Sequence, residues 1–137
     1  MTDLRILVVE DEQIMQERLI DMLYRAGASH VEARGNVAGA RQAFQEKSFQ
    51  LVLLDLGLPD GNGHELMDEF KAISEDQHIV LVTADDSIES IRKAISAGAN
   101  GYVVKPYSQE KIDDAVNNYV MVYGAETDRI RGLNSRH

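Results

Sequence analysis

The stretch of residues 50–63 constrains the fold of this chain more than any other. Four consecutive apolar residues, Leu51 to Leu54, run directly into Asp55, and a cluster of Pro, Asp, Gly and Asn then predicts a loop. An unbroken apolar run between turn signals is typical of a strand buried on both faces. Asp55 is therefore expected where a buried strand ends, which is the edge at which parallel α/β sheets bind ligands.

Four further segments have strand character, and amphipathic helical patterns separate them. The second segment is half polar, which predicts an edge strand. The five predicted strands are residues 4–9, 30–34, 50–55, 79–83 and 101–105.

Five helices are predicted after these strands. Asn36 and Ser108 precede the second and fifth helices as N-caps, and Gly27 and Gly98 end the first and fourth. The residues expected on the packed faces are Met15, Leu19, Met22 and Leu23; Val37, Ala40, Ala43 and Phe44; Leu66, Met67, Phe70 and Ile73; Ile88, Ile91, Ala94 and Ile95; and Ile112, Ala115, Val116, Tyr119 and Val120.

This alternation predicts an α/β fold with a doubly wound parallel sheet and right-handed crossovers. The expected arrangement is a flavodoxin-like (βα)5 domain with strand order 2-1-3-4-5. In that order strands 1, 3, 4 and 5 are neighbours, so the polar residues at their carboxyl ends meet in one cleft. Those residues are Glu10, Asp11, Asp55, Thr83 and Lys105.

Such a cleft has a definite chemistry. Neighbouring carboxylates repel by roughly 4 kcal/mol per pair at about 4 Å and an effective dielectric of about 20. A hard cation such as Mg²⁺ relieves this repulsion and commonly brings a phosphate with it. Asp55 is then a candidate nucleophile, since carboxylates form aspartyl-phosphates. Lys105 and Thr83 would contact the phosphoryl group.

Each residue also has an ordinary interpretation when taken alone. Asp55 could cap a helix, and the acids after the first strand could be a solvated helix start. Thr83 could be a β-former at a strand end, and Lys105 could protect an edge strand. Their occurrence together favours the functional interpretation.

The combination resembles the receiver domain of two-component response regulators, which act in phosphorelay signal transduction. The resemblance covers about residues 3–122. It rests on Glu10-Asp11, on the run from Asp55 to Gly61, on Thr83-Ala84, and on Tyr102-Val103-Val104-Lys105-Pro106.

The resemblance implies a role for each matching residue at the acidic cleft. Asp55 is implied to be the phosphoacceptor, and Asp11 a direct Mg²⁺ ligand. Glu10 is implied to hold the metal, often through water, and the backbone carbonyl of Gly57 to be a further ligand. Lys105-Pro106 is implied to be a cis peptide that aims the lysine at the phosphoryl group.

The resemblance also implies a switch and its partners. Thr83 would move toward the phosphoryl group and the Tyr102 ring would turn inward, which changes the face formed by the fourth helix, fifth strand and fifth helix. The phosphoryl donor would be a sensor histidine kinase or a phosphotransfer protein, and a homodimer through the changed face is possible. The expected domain is 1–122, followed by a short polar tail or linker start at 123–137.

The composition of the chain argues against two classes of partner, nucleic acids and membranes. The chain has 14 basic and 23 acidic residues, a net charge of -9, which argues against direct nucleic-acid binding. It has no cysteine, no apolar stretch of membrane-spanning length and no signal-peptide pattern, so we expect no membrane association and a cytoplasmic protein.

Three other functions remain open on the sequence. A haloacid-dehalogenase-like phosphatase uses similar groups, but its general acid is a second aspartate two residues after the nucleophile, where this chain has Gly57. A flavodoxin-like cofactor binder would need a hydroxyl- and glycine-rich loop after the first strand. A degenerate receiver would bind partners without phosphorylation. The resemblance favours a signalling phosphoacceptor that catalyses only its own phosphotransfer and dephosphorylation, and not a classical enzyme.

Overall fold

The computed structural model describes residues 4–124 and contains one five-stranded parallel sheet. Its strands are β1 (Arg5–Val9), β2 (His30–Arg34), β3 (Leu51–Asp55), β4 (His78–Thr83) and β5 (Gly101–Val104). They lie in the order β2-β1-β3-β4-β5. The predicted order and the predicted edge position of the half-polar second strand are both confirmed.

Five helices connect and cover these strands: α1 (Gln13–Arg25), α2 (Val37–Glu46), α3 (Gly63–Ile73), α4 (Ile88–Ser96) and α5 (Gln109–Tyr119). Helices α2, α3 and α4 pack in one buried cluster on one face of the sheet. Helices α1 and α5 pack in a second cluster on the other face. The fold is therefore the doubly wound α/β arrangement that the alternation of elements predicts.

The central strand β3 shows why an unbroken apolar run is needed. Val52 and Leu54 belong to the cluster under α2, α3 and α4, whereas Leu51 and Leu53 belong to the cluster under α1 and α5. All four side chains are essentially inaccessible. Because full burial of such a side chain stabilises by about 1.5–3 kcal/mol, every position before Asp55 favours an apolar residue.

The predicted helix boundaries are also confirmed. The side chain of Asn36 accepts a hydrogen bond from the Gly39 amide at 2.7 Å, and Ser108 accepts one from the Lys111 amide at 3.3 Å. After α1 the chain turns at Gly27, whose φ of +113° lies in the left-handed region that favours glycine.

Four residues expected on packed faces are largely exposed. Helix α4 buries only Ala94 among its own residues. Helical spacing identifies one apolar stripe, but it does not show how much of the stripe the neighbouring elements cover. Val120 lies beyond α5 in a π-helical turn (Val120–Gly124), where the change of period alters its direction. The exposed fractions are 63% for Ile73, 68% for Ile88, 49% for Ile95 and 44% for Val120.

The loop after β3 contains more structure than the sequence indicates. Within this β3–α3 loop (residues 56–62), Gly57–Leu58 pairs antiparallel with Gly61–Asn62. Pro59 and Asp60 form the turn. Asn62 then caps α3, its side chain accepting a hydrogen bond from the His64 amide at 2.7 Å.

The C-terminal tail and the absence of a membrane-spanning segment were also expected from the sequence. The predicted polar tail at 123–137 lies outside the described residues, apart from the last two positions of the π-helical turn. Within residues 4–124, every helix is too short or too polar to span a bilayer.

Candidate functional site

Three carboxylates meet at the carboxyl edge of the sheet. Glu10 and Asp11 follow β1, and Asp55 ends β3, its neighbour in the sheet. One carboxylate oxygen from each of the three lies within 4.8 Å of the others. Glu10 and Asp55 are only 2% and 6% exposed, whereas Asp11 is exposed. The structure therefore brings together the three acids that the strand pattern predicted would meet.

Lys105 joins this group from the end of β5. Its Nζ lies 2.7 Å from Oδ2 of Asp55 and 3.1 Å from Oε1 of Glu10. Its backbone amide donates to the carbonyl of Thr83 at 2.8 Å, which anchors the residue beside β4. The Lys105–Pro106 peptide is cis, the geometry that the resemblance implied.

The pKa values of Lys105 and Glu10 reflect opposing effects. Burial alone would lower the pKa of Lys105, but its hydrogen bonds to Asp55 and Glu10 outweigh burial and raise it. Burial is also the largest effect on Glu10, and it raises the pKa of this carboxyl despite hydrogen bonds from the Glu12 amide and Lys105. The side chain of Lys105 is therefore positively charged at neutral pH, and it lies among several acidic side chains.

The orientation of Asp55 is fixed by a donor on each carboxylate oxygen. Lys105 contacts Oδ2, and the backbone N–H of Gly57 donates to Oδ1 at 2.9 Å. Gly57 is itself exposed, at the beginning of the short hairpin. A carboxylate held at both oxygens beside a cation is well oriented to act as a nucleophile or as a metal ligand.

The composition of the cluster indicates what kind of ligand it fits. Three acids face one lysine, so two negative charges remain uncompensated when all three are ionised. The side-chain donors are all carboxylate oxygens, which hard divalent cations prefer. The three residues of the cluster therefore fit a hard divalent cation such as Mg²⁺.

Thr83 ends β4 and Tyr102 lies within β5, and both contact Asp85 in the β4–α4 loop (residues 84–87). Both are half-buried, and both are hydrogen-bonded to the backbone of Asp85. The Asp85 amide donates to Thr83 Oγ1 at 3.3 Å, and the Tyr102 hydroxyl donates to the Asp85 carbonyl at 2.7 Å. The two residues predicted as a switch pair are thus linked through a single residue.

The hydrogen bonds of Asp60 and Asp85 were not predicted from the sequence. The carboxylate of Asp85 accepts hydrogen bonds from the Ser87 amide and the Ser90 hydroxyl, and these bonds lower its pKa, the Ser90 bond most of all. Asp60 bonds to the start of α2. An acid two residues before a serine cap is a local signal that could have indicated Asp85, but nothing local indicates the partner of Asp60.

Comparison with known proteins identifies the family. The model of the response regulator receiver domain matches residues 6–117. The chemotaxis protein CheY of Bacillus subtilis is 31% identical over 113 residues, which cover 82% of this chain and 94% of CheY.

Two solved structures with the same fold are also related in sequence. The non-phosphorylated receiver domain of HemR from Leptospira biflexa has a TM-score of 0.78 and 27% identity, and the match covers 86% of this chain and 94% of that one. The BeF3-activated receiver domain of DrrB has a TM-score of 0.76 and 27% identity, with coverage of 87% and 98%. This chain belongs to the response regulator receiver family, whose members are signalling phosphoacceptors and not classical enzymes.

Proposed function

We propose that Asp55 accepts a phosphoryl group from the phosphohistidine of a sensor histidine kinase or a phosphotransfer protein. The observation that best supports this proposal is the geometry around the Asp55 carboxylate. Asp55 Oδ2 lies 2.7 Å from the Lys105 ammonium, and the carboxylate also belongs to the acidic triad with Glu10 and Asp11. A nucleophile, a cation and a metal-binding group therefore converge on one point.

The cofactor in this proposal is Mg²⁺. Glu10, Asp11 and Asp55 would hold it, with the backbone carbonyl of Gly57 as a further oxygen ligand. When bound, the ion offsets negative charge on the transferring phosphoryl oxygens. The three clustered carboxylates support this assignment, because they supply hard oxygen donors and an excess of negative charge.

The residues of the chain have separate tasks in the transfer. An oxygen of Asp55 attacks phosphorus, and the bond from phosphorus to the donor histidine nitrogen breaks as the new P–O bond forms. The Gly57 amide orients the attacking carboxylate. Lys105, now paired with Asp55, would pair with a phosphoryl oxygen in the product and stabilise its charge.

The same proposal includes the switch. Thr83 would donate its hydroxyl to the phosphoryl group, and the Tyr102 ring would turn inward, so the hydrogen bonds of both to Asp85 are the contacts expected to change. Phosphorylation would then shift an existing equilibrium at the α4–β5–α5 face. Exposed Ile88 and Ile95 on α4 support a contact role for this face, either with an output partner or in a homodimer.

Residues 1–122 form the receiver domain and 123–137 a tail or linker start. The protein would act in the cytoplasm, without direct contact to nucleic acid or membrane.

The direct test is incubation with Mg²⁺ and acetyl phosphate, followed by intact-mass measurement. We expect the addition of one phosphoryl group, its absence in Asp55→Asn, and its absence when a chelator removes the metal. If no addition is found, beryllofluoride should be tested as a stable phosphoryl mimic. Failure of both reagents, or an unchanged reaction in Asp55→Asn, would contradict the proposal.

A further inference from the structure

Asp60 ties the β3–α3 loop to the start of α2. Its Oδ1 accepts a hydrogen bond from the Val37 amide at 2.7 Å, and its Oδ2 accepts one from the Ala38 amide at 3.1 Å. These partners lie 23 and 22 residues away in the sequence. A carboxylate across the first two amides of a helix is electrostatically favourable, so the loop has a strong point of attachment.

Close packing holds the rest of the loop in place. Leu58 and Val37 belong to the same buried cluster. A Cβ atom on Gly61 would lie 2.9 Å from Val37 Cγ2, and one on Gly63 would lie 2.8 Å from Leu56 Cα. Neither position has room for a side chain, so the loop is fixed against α2 at its tip and against residue 56 at its base.

Gly57 lies between these two points of attachment. It pairs with Asn62 across the short hairpin, and its N–H donates to Asp55 Oδ1 at 2.9 Å. The loop that Asp60 secures is therefore the loop that orients the Asp55 carboxylate. We propose that Asp60 is a positioning residue for the metal centre, acting through the hydrogen-bonded path from α2 to the hairpin, Gly57 and Asp55.

This inference rests on the proposed function, because it requires a metal centre that includes Asp55 and Gly57. It goes further by assigning a task to a residue outside that centre. Asp60 contacts α2 through its carboxylate, and its effect on the metal would be transmitted by the position of the loop.

A second cap on α2 separates this task from ordinary helix capping. Asn36 already caps the helix by accepting a hydrogen bond from the Gly39 amide at 2.7 Å. It belongs to the chain entering α2 and has no bond to the β3–α3 loop among the described contacts. Asn36→Ala therefore weakens the same helix end without releasing the loop, which makes it the matched control.

The test is calorimetric titration of Mg²⁺ into the wild type, Asp60→Ala, Asp60→Asn and Asn36→Ala. Titrations in about 1 M potassium chloride, where the Debye length is about 3 Å, remove the long-range attraction of the Asp60 charge for the ion. We expect Asp60→Ala to weaken Mg²⁺ binding about 10-fold, as for loss of a group that orients metal ligands. Asp60→Asn keeps one acceptor oxygen, so its Mg²⁺ affinity should lie between those of the wild type and Asp60→Ala. Asn36→Ala should bind Mg²⁺ as tightly as the wild type does.

Hydrogen exchange of the Gly57 amide provides a second readout that does not depend on metal. It should be faster in Asp60→Ala than in Asn36→Ala when both are compared at equal global stability. If Asp60→Ala does not fold, the comparison of Asp60→Asn with Asn36→Ala decides the question. Unchanged Mg²⁺ affinity in the Asp60 variants, or an equal loss in Asn36→Ala, would overturn the inference.

Failure of the proposed function would give a different result. If the wild-type protein itself does not bind Mg²⁺, the metal centre is overturned and the positioning role with it. If the wild type binds Mg²⁺ and the Asp60 variants bind it equally well, the metal centre stands and only the role of Asp60 is lost.

Discussion

Ionisable side chains are buried at both ends of the parallel strands, which form the carboxyl edge and the amino edge of the sheet. Their charge states differ between the two edges. At the carboxyl edge, Glu10 and Asp55 are nearly inaccessible but share the ammonium group of Lys105. At the amino edge, His78 begins β4, is 2% exposed, and packs edge-to-face on Tyr119 with ring centroids 5.2 Å apart.

The consequences for charge differ accordingly. The pKa of Lys105 is raised by its carboxylate partners despite burial, so the carboxyl edge holds fixed charge. The pKa of His78 is lowered to about 4, first by burial and then by the charge of Lys71, so this side chain is neutral near pH 7. A buried charge is retained where partners or a ligand stabilise it, and burial favours the neutral form of His78.

The largest effect should come from removing the cation at the carboxyl edge. Lys105→Met leaves Glu10 and Asp55 buried without their partner, so we expect a loss of about 3 kcal/mol in the free energy of unfolding at pH 7 without metal. Urea denaturation measures it, and Mg²⁺ should restore more stability to the variant than it adds to the wild type. Lys111→Met, on the exposed surface of α5, is the control. Equal stability of the two variants would mean that the acids are not held by Lys105.

A smaller effect should appear at the amino edge on acidification. The unfolded chain binds a proton at His78 near pH 6.5, whereas the folded protein does so only near pH 4. The contribution of neutral His78 to the free energy of unfolding is therefore fully present above pH 6.5 and is lost as the pH falls toward 4. The loss is about 2 kcal/mol between pH 6.5 and 4.5. Denaturation curves at several pH values should show that the free energy of unfolding depends less on pH in His78→Gln than in the wild type. His64→Gln, at a partly exposed position, is the control. Equal pH dependence in all three proteins would remove the contrast between the edges.

The smallest effect concerns Glu10. Burial raises its folded-state pKa above the ordinary value of 4.5, so this carboxyl lowers stability as the pH rises through 4.5 toward the raised value. In metal-free buffer, Glu10→Gln should therefore be more stable than the wild type at pH 7 and equally stable below pH 4.5. The same variant should bind Mg²⁺ more weakly, whereas Glu12→Gln, at an exposed neighbour, should change neither quantity. A less stable Glu10→Gln at pH 7 would show that the carboxylate is well accommodated without metal.

The strand ends of this fold were predictable because period and turn residues are local properties. Asp55 and Lys105 lie 50 positions apart, yet parallel strands bring their ends to one edge whatever the length of the connections. Exposure was less predictable, since the periodicity of α4 does not show that Ile88 and Ile95 remain uncovered.

Asp60 shows the limit of such reasoning. Its partners at the start of α2 come from another connection of the fold, and no spacing rule links an acid in one loop to the amides of a distant helix. The hairpin it belongs to was also missed, because two-residue strands have no periodicity. Contacts of this kind depend on how connections pack, which a single sequence does not specify.

A crystal structure of the protein with Mg²⁺ and beryllofluoride would test the phosphoacceptor role of Asp55 most directly. We expect the beryllofluoride group on an Asp55 oxygen, with Lys105 and Thr83 in contact with its fluorines and Mg²⁺ beside Glu10 and Asp11. Beryllofluoride on another carboxylate, or an Asp55 that remains paired with Lys105 under saturating reagent, would contradict the claim that this acidic edge is a phosphoacceptor site.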